Sequence, residues 1–267
     1  MKKNNFLAIA CALLLGTSSV APLCAQESGD WSMTIGADAV SHYLWRGMEL
    51  GGPSVQPSAY FDYEKGDWAV SLGVWGTKSL FHNRYGEHYN ELDLSVEASW
   101  RNLTLSLADY AEGRYFGPWQ EGHFLDFGLS YTLSENIPVT FSWYSVINQT
   151  FEGSLDGGGF DWATAFPSYF EVAYDFSLST VDFSVAAGMW PYSSVYYEND
   201  GFGICNLHLS AGHEFEFNHG GTLPVSAQIM YNPAWNEFFW GLSVGYYFPI
   251  DLEPHSPGSP GHIPPLE

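Results

Sequence analysis

The chain has 267 residues, and its 30 Asp and Glu against 8 Lys and Arg give a formal net charge of -22. This balance argues against a nucleic-acid partner, because nucleic acid is bound through dense positive charge. Aromatic residues make up 18% of the chain and there are 28 glycines, a composition typical of strands joined by tight turns.

The N-terminus carries the features of an export signal. Lys2 and Lys3 precede an apolar stretch at residues 6–15, and small residues follow up to Ala25. This order predicts a secretory signal peptide over residues 1–25. Cys24 leaves a lipoprotein as an alternative, although the residues before it fit lipid attachment poorly.

Beyond the signal, apolar and polar residues alternate with a period of two. The first such segment runs from Trp31 to Arg46, and the pattern recurs about twelve times with turn signals between. No apolar run of helical membrane-spanning length follows the signal. We therefore expect an all-β fold over residues 26–250: a closed, up-and-down, antiparallel transmembrane barrel of about twelve strands.

The connections between these segments alternate between short and long. The short ones are Glu64–Asp67, Arg101–Asn102, Ser134–Pro138, Ser177–Thr180 and Asn218–Gly221. The long ones are Gly47–Pro53, Lys78–His88, Ala111–Gln120, Asn148–Pro167, Pro191–Gly203 and Asn232–Glu237. Long loops at one end and short turns at the other are typical of outer-membrane barrels.

Aromatic residues recur near the ends of the apolar faces, which predicts girdles at the two membrane interfaces. The predicted girdle residues are Trp31, Tyr43, Trp45, Trp68, Trp100 and Trp240. After the last strand, residues 251–267 are rich in Pro, Gly and Ser. That composition predicts a disordered tail.

The face opposite the apolar one is acidic, and in a barrel it would line the lumen. The predicted pore-lining residues are Asp38, His42, Arg46, Asp62, Glu91, Asp93, Glu97, Asp126, Glu171, Asp175, Asp182, His208 and Glu214. Arg46 is the one strong base among them. Because carboxylates in a pore attract cations and repel anions, this set predicts a cation-favouring lumen.

Several short segments resemble the TorF-type porin family. They are residues 41–47, 53–56, 61–64, 73–77 and 91–93. The resemblance covers about residues 35–100 and implies an outer-membrane barrel with a porin function. The last strand, residues 243–250, also resembles the C-terminal signal read by the barrel-assembly machinery.

Together these features predict a porin-like channel in the outer membrane of a Gram-negative bacterium. It would pass small cationic or neutral solutes by diffusion through an acidic lumen. The expected partners are outer-membrane lipid, the assembly machinery and small solutes. A homo-oligomer or a larger outer-membrane complex is left open. The predicted mechanism involves no catalysis, no cofactor and no metal.

Two alternatives remain at this point. The first is a non-conducting barrel that acts as a receptor or assembly partner and is plugged by its own aromatic residues. Those residues would be Tyr60, Trp75, Phe124, Tyr144, Trp190 and Tyr247. The second is an outer-membrane acyl hydrolase that uses His208 and Ser210, which requires that both side chains face lipid.

Overall fold

The computed structural model describes residues 29–113, 122–148, 166–218 and 220–252. The predicted signal peptide, most of the longest loop and nearly all of the predicted tail lie outside these ranges. None of the described segments forms a helix that is long and apolar enough to span a membrane.

The described residues form fourteen β-strands. Their bounds are β1 (Asp30–Val40), β2 (Tyr43–Trp45), β3 (Met48–Gly51), β4 (Ser54–Lys65), β5 (Trp68–Ser79), β6 (Asn90–Trp100), β7 (Leu103–Glu112), β8 (His123–Ser134), β9 (Ile137–Val146), β10 (Ser168–Leu178), β11 (Val181–Trp190), β12 (Gly203–Glu216), β13 (Thr222–Asn232) and β14 (Glu237–Asp251).

Twelve of these strands form a closed antiparallel barrel. Each strand from β4 to β14 pairs with the next, β14 closes on β1, and β1 pairs with β4. The predicted fold class and the strand number are therefore confirmed. Closure leaves no sheet edge with unpaired backbone groups, which a wall with an apolar outer surface requires.

The two ends of the barrel differ in their connections. The short turns lie at one end, here called the turn end, at residues 66–67, 101–102, 135–136 and 179–180, and the end of β12 and the start of β13 meet there too. The strand ends that the long connections join lie at the other end, here called the loop end. Both ends of the described chain, Gly29 and Leu252, lie at the turn end because the wall has an even number of strands.

The outward face of the wall is apolar and exposed. In mid-strand it presents side chains such as Leu72, Leu94 and Leu242, each more than half exposed. Near the turn end Trp68 and Trp100 lie side by side, with ring centroids 6.1 Å apart. Of the predicted girdle residues, Trp31, Trp68, Trp100 and Trp240 are exposed on this face.

The other two predicted girdle residues correct the predicted length of the first strand. β1 ends at Val40, and the chain then turns at residues 41–42 and forms the short strands β2 and β3. Tyr43 and Trp45 are each only 7% exposed, so they are not interfacial. The alternation continues past Val40 because β2 is also a strand, but β2 pairs only with β3 and not with the wall.

Candidate functional site: the lumen and the hairpin that fills its loop end

Strands β2 and β3 form a hairpin, residues 43–51, that lies inside the barrel. Its two-residue turn is Arg46-Gly47, with φ of 44° and 90°. Positive φ at both central residues is the geometry of a type I′ turn, which matches the twist of a two-stranded ribbon. Glycine adopts it without strain, whereas an arginine in this region costs about 1 kcal/mol.

The tip of the hairpin is fixed against the far wall. The Asn232 side-chain amide donates a 2.9 Å hydrogen bond to the Gly47 carbonyl oxygen. A Cβ added at Gly47 would lie 2.1 Å from the backbone oxygen of Cys205. Only glycine therefore allows the hairpin to approach β12 this closely.

Arg46 is the centre of the buried contacts. Its Nη2 lies 2.6 Å from Asp126 Oδ2, and its Nη1 donates a 3.0 Å hydrogen bond to the Tyr197 hydroxyl. The guanidinium carbon lies 4.2 Å from the ring centroid of Tyr144 and 5.3 Å from that of Tyr169. Asp126 therefore supplies the counter-charge that a buried guanidinium requires.

Two further side chains attach the hairpin to the loop end. The Tyr43 hydroxyl donates to Glu91 Oε2 at 3.0 Å. Arg84, from the loop after β5, pairs through Nε with Glu49 Oε2 at 2.5 Å. The Glu49 side chain is fully buried, whereas Arg84 remains 38% exposed. The hairpin is therefore held by polar contacts on both of its strands as well as at its tip.

The loop between β11 and β12 also packs on the hairpin. Tyr197 is fully buried and stacks on Trp45 and Trp190, with centroids 6.1 and 5.8 Å away. Tyr196 contacts the Trp45 ring edge-on and also packs on Phe124, 5.1 Å away. We call residues 43–51 together with Tyr196 and Tyr197 the plug. It fills the loop half of the lumen with interlocked aromatic rings.

The aromatic residues of the wall itself behave differently. Several lie flat against a glycine of a neighbouring strand, where a Cβ would collide with the ring: Tyr60 on Gly73, Tyr144 on Gly128, Tyr169 on Gly188 and Tyr247 on Gly36. These rings line the wall rather than cross the lumen. Of the six residues predicted to plug the barrel, Trp75, Phe124, Tyr144 and Trp190 pack on or beside the plug, whereas Tyr60 and Tyr247 lie on the wall.

The turn half of the lumen has more accessible side chains, although Ser99 and Thr104 beside one of its turns are buried. Its wall bears small polar side chains, including Ser71, Ser95, Ser106, Ser130 and Ser226, all partly exposed. The predicted pore-lining carboxylates here are also accessible: Asp182 is exposed, and Asp62, Glu97, Asp175 and Glu214 are partly exposed. This half is an acidic vestibule, which leads to the plug.

The remaining predicted pore-lining residues lie mostly around the plug. Asp38, Glu91, Asp93, Asp126, Glu171 and His208 are all buried within the barrel. Two do not lie where the alternation places them. Arg46 is at the hairpin tip rather than on the wall, and the His42 ring lies 4.7 Å from that of the outward-facing Trp240. In both cases the reason is that the chain leaves the wall after Val40.

Asp93 differs from the other buried carboxylates. It is 3% exposed, and neither of its oxygens has a hydrogen-bond partner among the described residues. It lies opposite Trp75 on β5 and Tyr110 on β7, and Glu91 is two residues away on the same face. The single strong base of the plug pairs with Asp126 instead, so among the described residues Asp93 has no positively charged partner.

His208 and Ser210 lie on the lumen face of β12. His208 is buried, and its Nε2 lies 3.0 Å from Gln228 Oε1. The acyl hydrolase hypothesis requires both side chains to face lipid, and this arrangement does not provide that. Cys205 is fully buried in the same strand. Within the described ranges, no group of three or more His, Cys, Asp or Glu side chains has a geometry that could hold a metal ion.

The sequence pattern missed the residues that close the lumen. Tyr43, Trp45, Tyr196 and Tyr197 belong to connections rather than to wall strands, so alternation does not reveal them. One local signal does point to the hairpin. Arg46-Gly47 separates two short apolar segments by two residues, and glycine at the second turn position is typical of a tight hairpin.

Comparisons with known proteins give only distant structural likeness. No family model matches the chain, and no curated protein does. The solved structures similar to it include the COG4313 outer membrane channel from Pseudomonas putida F1, with a TM-score of 0.47 and 7% identity over 88% of this chain and 99% of that one. The NanC porin gives a TM-score of 0.44 and 9% identity over 82% and 98%. Likeness at this level indicates neither a solute nor a mechanism, and the TorF-type resemblance stays a prediction.

Proposed function

We propose that this chain is an outer-membrane channel with a cation-favouring lumen, closed at its loop end by the first-loop hairpin in the state described here. The observation that carries the proposal is the difference between the two halves of the lumen. The turn half is an accessible acidic vestibule. The loop half is filled by the plug, which is formed by loop residues and held by a small number of polar contacts.

The outer surface supports a place in the membrane. A continuous band of exposed Leu, Val, Ile and Phe side chains surrounds a closed wall, and such a band would be costly in water. Tryptophan near the turn end, at Trp31, Trp68 and Trp100, suits the lipid interface. Outer-membrane lipid is thus the first partner we propose, with the assembly machinery acting during biogenesis.

The charge of the lumen supports the proposed preference for cations. Carboxylates line both halves, whereas Arg46 is the only Arg or Lys side chain that the described wall and plug bury in the lumen. That guanidinium is already paired with Asp126. An excess of carboxylates between low-dielectric walls sets up a negative field, which attracts cations and repels anions.

The plug favours a second candidate function, that of a non-conducting barrel. Such a barrel would contain interlocked aromatic rings like those around Arg46. It would act through its loops as a receptor or assembly partner. The two candidates differ in one property. A channel requires that the hairpin can leave the lumen, and a non-conducting barrel does not.

The test replaces residues 43–51 by Gly-Ser-Gly-Ser. The wall should still close, because β1 and β4 pair directly from Asp30–Glu64 to Val40–Ser54. Conductance and reversal potential are measured for the purified protein in a planar bilayer under a KCl gradient. The control is Leu80→Ser with Phe81→Ser, which changes two exposed side chains at the same end.

We expect small or infrequent conductance steps from the unaltered protein and from the control. The truncated barrel should give large, steady steps with a cation-selective reversal potential. A folded truncated barrel that stays silent would overturn the channel and favour the non-conducting barrel. An anion-selective reversal potential would overturn the proposed role of the carboxylates.

A further inference from the structure

Arg46 occupies a site that the barrel wall builds independently of the hairpin. The carboxylate of Asp126 comes from β8, and the rings of Tyr144 and Tyr169 come from β9 and β10. Tyr110, from β7, donates a 3.0 Å hydrogen bond to the same Asp126 oxygen that Arg46 contacts. Three neighbouring strands of the wall therefore supply one carboxylate and two aromatic rings to a single buried cation, and a fourth supplies the Tyr110 hydroxyl that bonds the carboxylate.

The rings are positioned by the wall and not by the arginine. Tyr144 lies on Gly128, where a Cβ would be 2.9 Å from the ring, and Tyr169 lies on Gly188, where it would be 2.1 Å from the hydroxyl oxygen. The Tyr169 hydroxyl also accepts a 3.0 Å hydrogen bond from the Asn206 side-chain amide. These contacts remain when the hairpin leaves, so the site is preorganised.

The chemistry of the site suits a planar, delocalised cation. A guanidinium stacks its face on aromatic rings while its edge donates to a carboxylate, and an ammonium ion lacks that flat face. Guanidinium is also less strongly hydrated than ammonium, which favours it in a buried site.

Arg46 does not use this site fully. Its Nε has no hydrogen-bond partner among the described residues, and neither has Asp126 Oδ1, although both atoms are buried. The two-point pairing that guanidinium and carboxylate can form is therefore incomplete. The pairing is incomplete because the backbone restrains Arg46, which is held in a left-handed conformation at the tip of a tight turn.

We propose that the barrel wall forms a binding site for solutes that carry a guanidinium group, built from Asp126, Tyr144 and Tyr169 with Tyr110. In the closed state, Arg46 of the same chain occupies this site in place of a solute. A free guanidinium is not restrained by a turn and can pair with both oxygens of Asp126. Its binding releases the hairpin, so the solute opens its own passage. This inference rests on the proposed channel and names the class of cation that the channel selects.

The test uses the Arg46→Ala barrel and two small probes of equal charge, ethylguanidinium and ethylammonium. Binding of each is measured by titration calorimetry on the folded protein in detergent, and block of the conductance is measured in a planar bilayer. The hairpin-truncated barrel serves as a second variant with the site vacated. Adding Asp126→Asn to either variant gives the matched control.

Ethylguanidinium should bind the vacated site about tenfold more tightly than ethylammonium. It should also reduce the conductance of the Arg46→Ala barrel, and Asp126→Asn should remove both effects. Equal binding of the two probes, or binding that Asp126→Asn leaves unchanged, would overturn the site.

The two proposals can fail separately. If neither variant conducts but calorimetry still shows selective ethylguanidinium binding that needs Asp126, the site stands and the channel falls. If both variants conduct and neither discriminates between the probes, the channel stands and the guanidinium site falls.

Discussion

The two halves of the lumen share the same wall strands but differ in state. In the turn half, partly exposed serines and accessible carboxylates line the vestibule. In the loop half, the hairpin of residues 43–51 and the pair Tyr196–Tyr197 fill the space with aromatic rings and one fully buried ion pair. The strands of this barrel therefore set its diameter, while its connections decide whether the passage is open.

The contacts that hold the plug also differ in strength along the hairpin. At the tip, both partners of the Arg46–Asp126 pair are almost fully buried. Nearer the rim, Arg84 is partly exposed where it pairs with Glu49. Since a buried charge left without its partner costs far more than an exposed one, the tip should dominate the stability of the plugged state.

The largest effect is expected for Asp126→Asn. The change keeps the shape of the side chain but leaves the Arg46 charge buried without a counter-charge, at a cost of about 3–5 kcal/mol. The hairpin should then be open for most of the time, which is about 100-fold more often than in the unaltered protein. Hydrogen exchange of the amides of residues 43–51 measures this, and unchanged protection there would mean that the ion pair does not hold the plug.

The next largest effect is expected at Gly47, and the matched control is Gly66. Both glycines have positive φ, and one lies in each half of the barrel. Gly47→Ala places a Cβ against the Cys205 carbonyl, whereas Gly66→Ala, in the turn after β4, meets nothing within 4 Å. We expect Gly47→Ala to destabilise the plug by about 2 kcal/mol or more. Gly66→Ala should cost only the backbone strain of about 1 kcal/mol.

The same exchange measurement reports on the glycine pair. Faster exchange of residues 43–51 should follow Gly47→Ala alone. If Gly66→Ala has the same effect on these amides, the stability of the plug is not local to the loop half.

A smaller effect is expected for Arg84→Ala. The pair with Glu49 is partly solvated on the arginine side, so its loss should cost about 0.5–1 kcal/mol. Conductance of the variant in a bilayer should show openings a few times more frequent than in the unaltered protein. Openings as frequent as those of Asp126→Asn would contradict the ranking of tip above rim.

The smallest effect is expected when carboxylates of the vestibule are neutralised. Asp62→Asn with Glu97→Gln, made in the hairpin-truncated barrel, removes two carboxylates from the turn half without touching the plug. We expect the cation-over-anion permeability ratio to fall by about twofold with the conductance nearly unchanged. A ratio that does not move would place the selectivity in the loop half alone.

The wall could be predicted from sequence because its signal is repeated. Outward side chains such as Leu72, Leu94 and Leu242 alternate with inward polar ones on every strand, and a membrane barrel has few other ways to satisfy that pattern. Strand number and the placement of short turns followed from the same repetition.

The plug could not be predicted in the same way. Tyr43, Leu44 and Trp45 continue the alternation of β1, so the pattern alone does not separate a wall strand from an inserted hairpin. The partners of Arg46 lie 80 residues away at Asp126 and 151 away at Tyr197. Such contacts depend on barrel closure and on the angle at which a loop re-enters the lumen.

The most direct test of the central claim is a comparison of two lumen positions on one strand. Ser71 and Thr77 face the lumen from β5, six residues and about 20 Å apart. Ser71 is partly exposed in the turn half, and Thr77 is buried in the loop half. Each is changed to cysteine in a Cys205→Ala background, with and without residues 43–51. Its rate of reaction is measured with a neutral and a cationic thiosulfonate.

With the hairpin present, Ser71→Cys should react readily from solution, and Thr77→Cys should react about 100-fold more slowly with both reagents, in line with a plug that opens at a cost of about 3 kcal/mol. Without the hairpin, the two positions should react at similar rates. Equal rates while the hairpin is present would contradict the account, because the loop half would then be as open as the turn half.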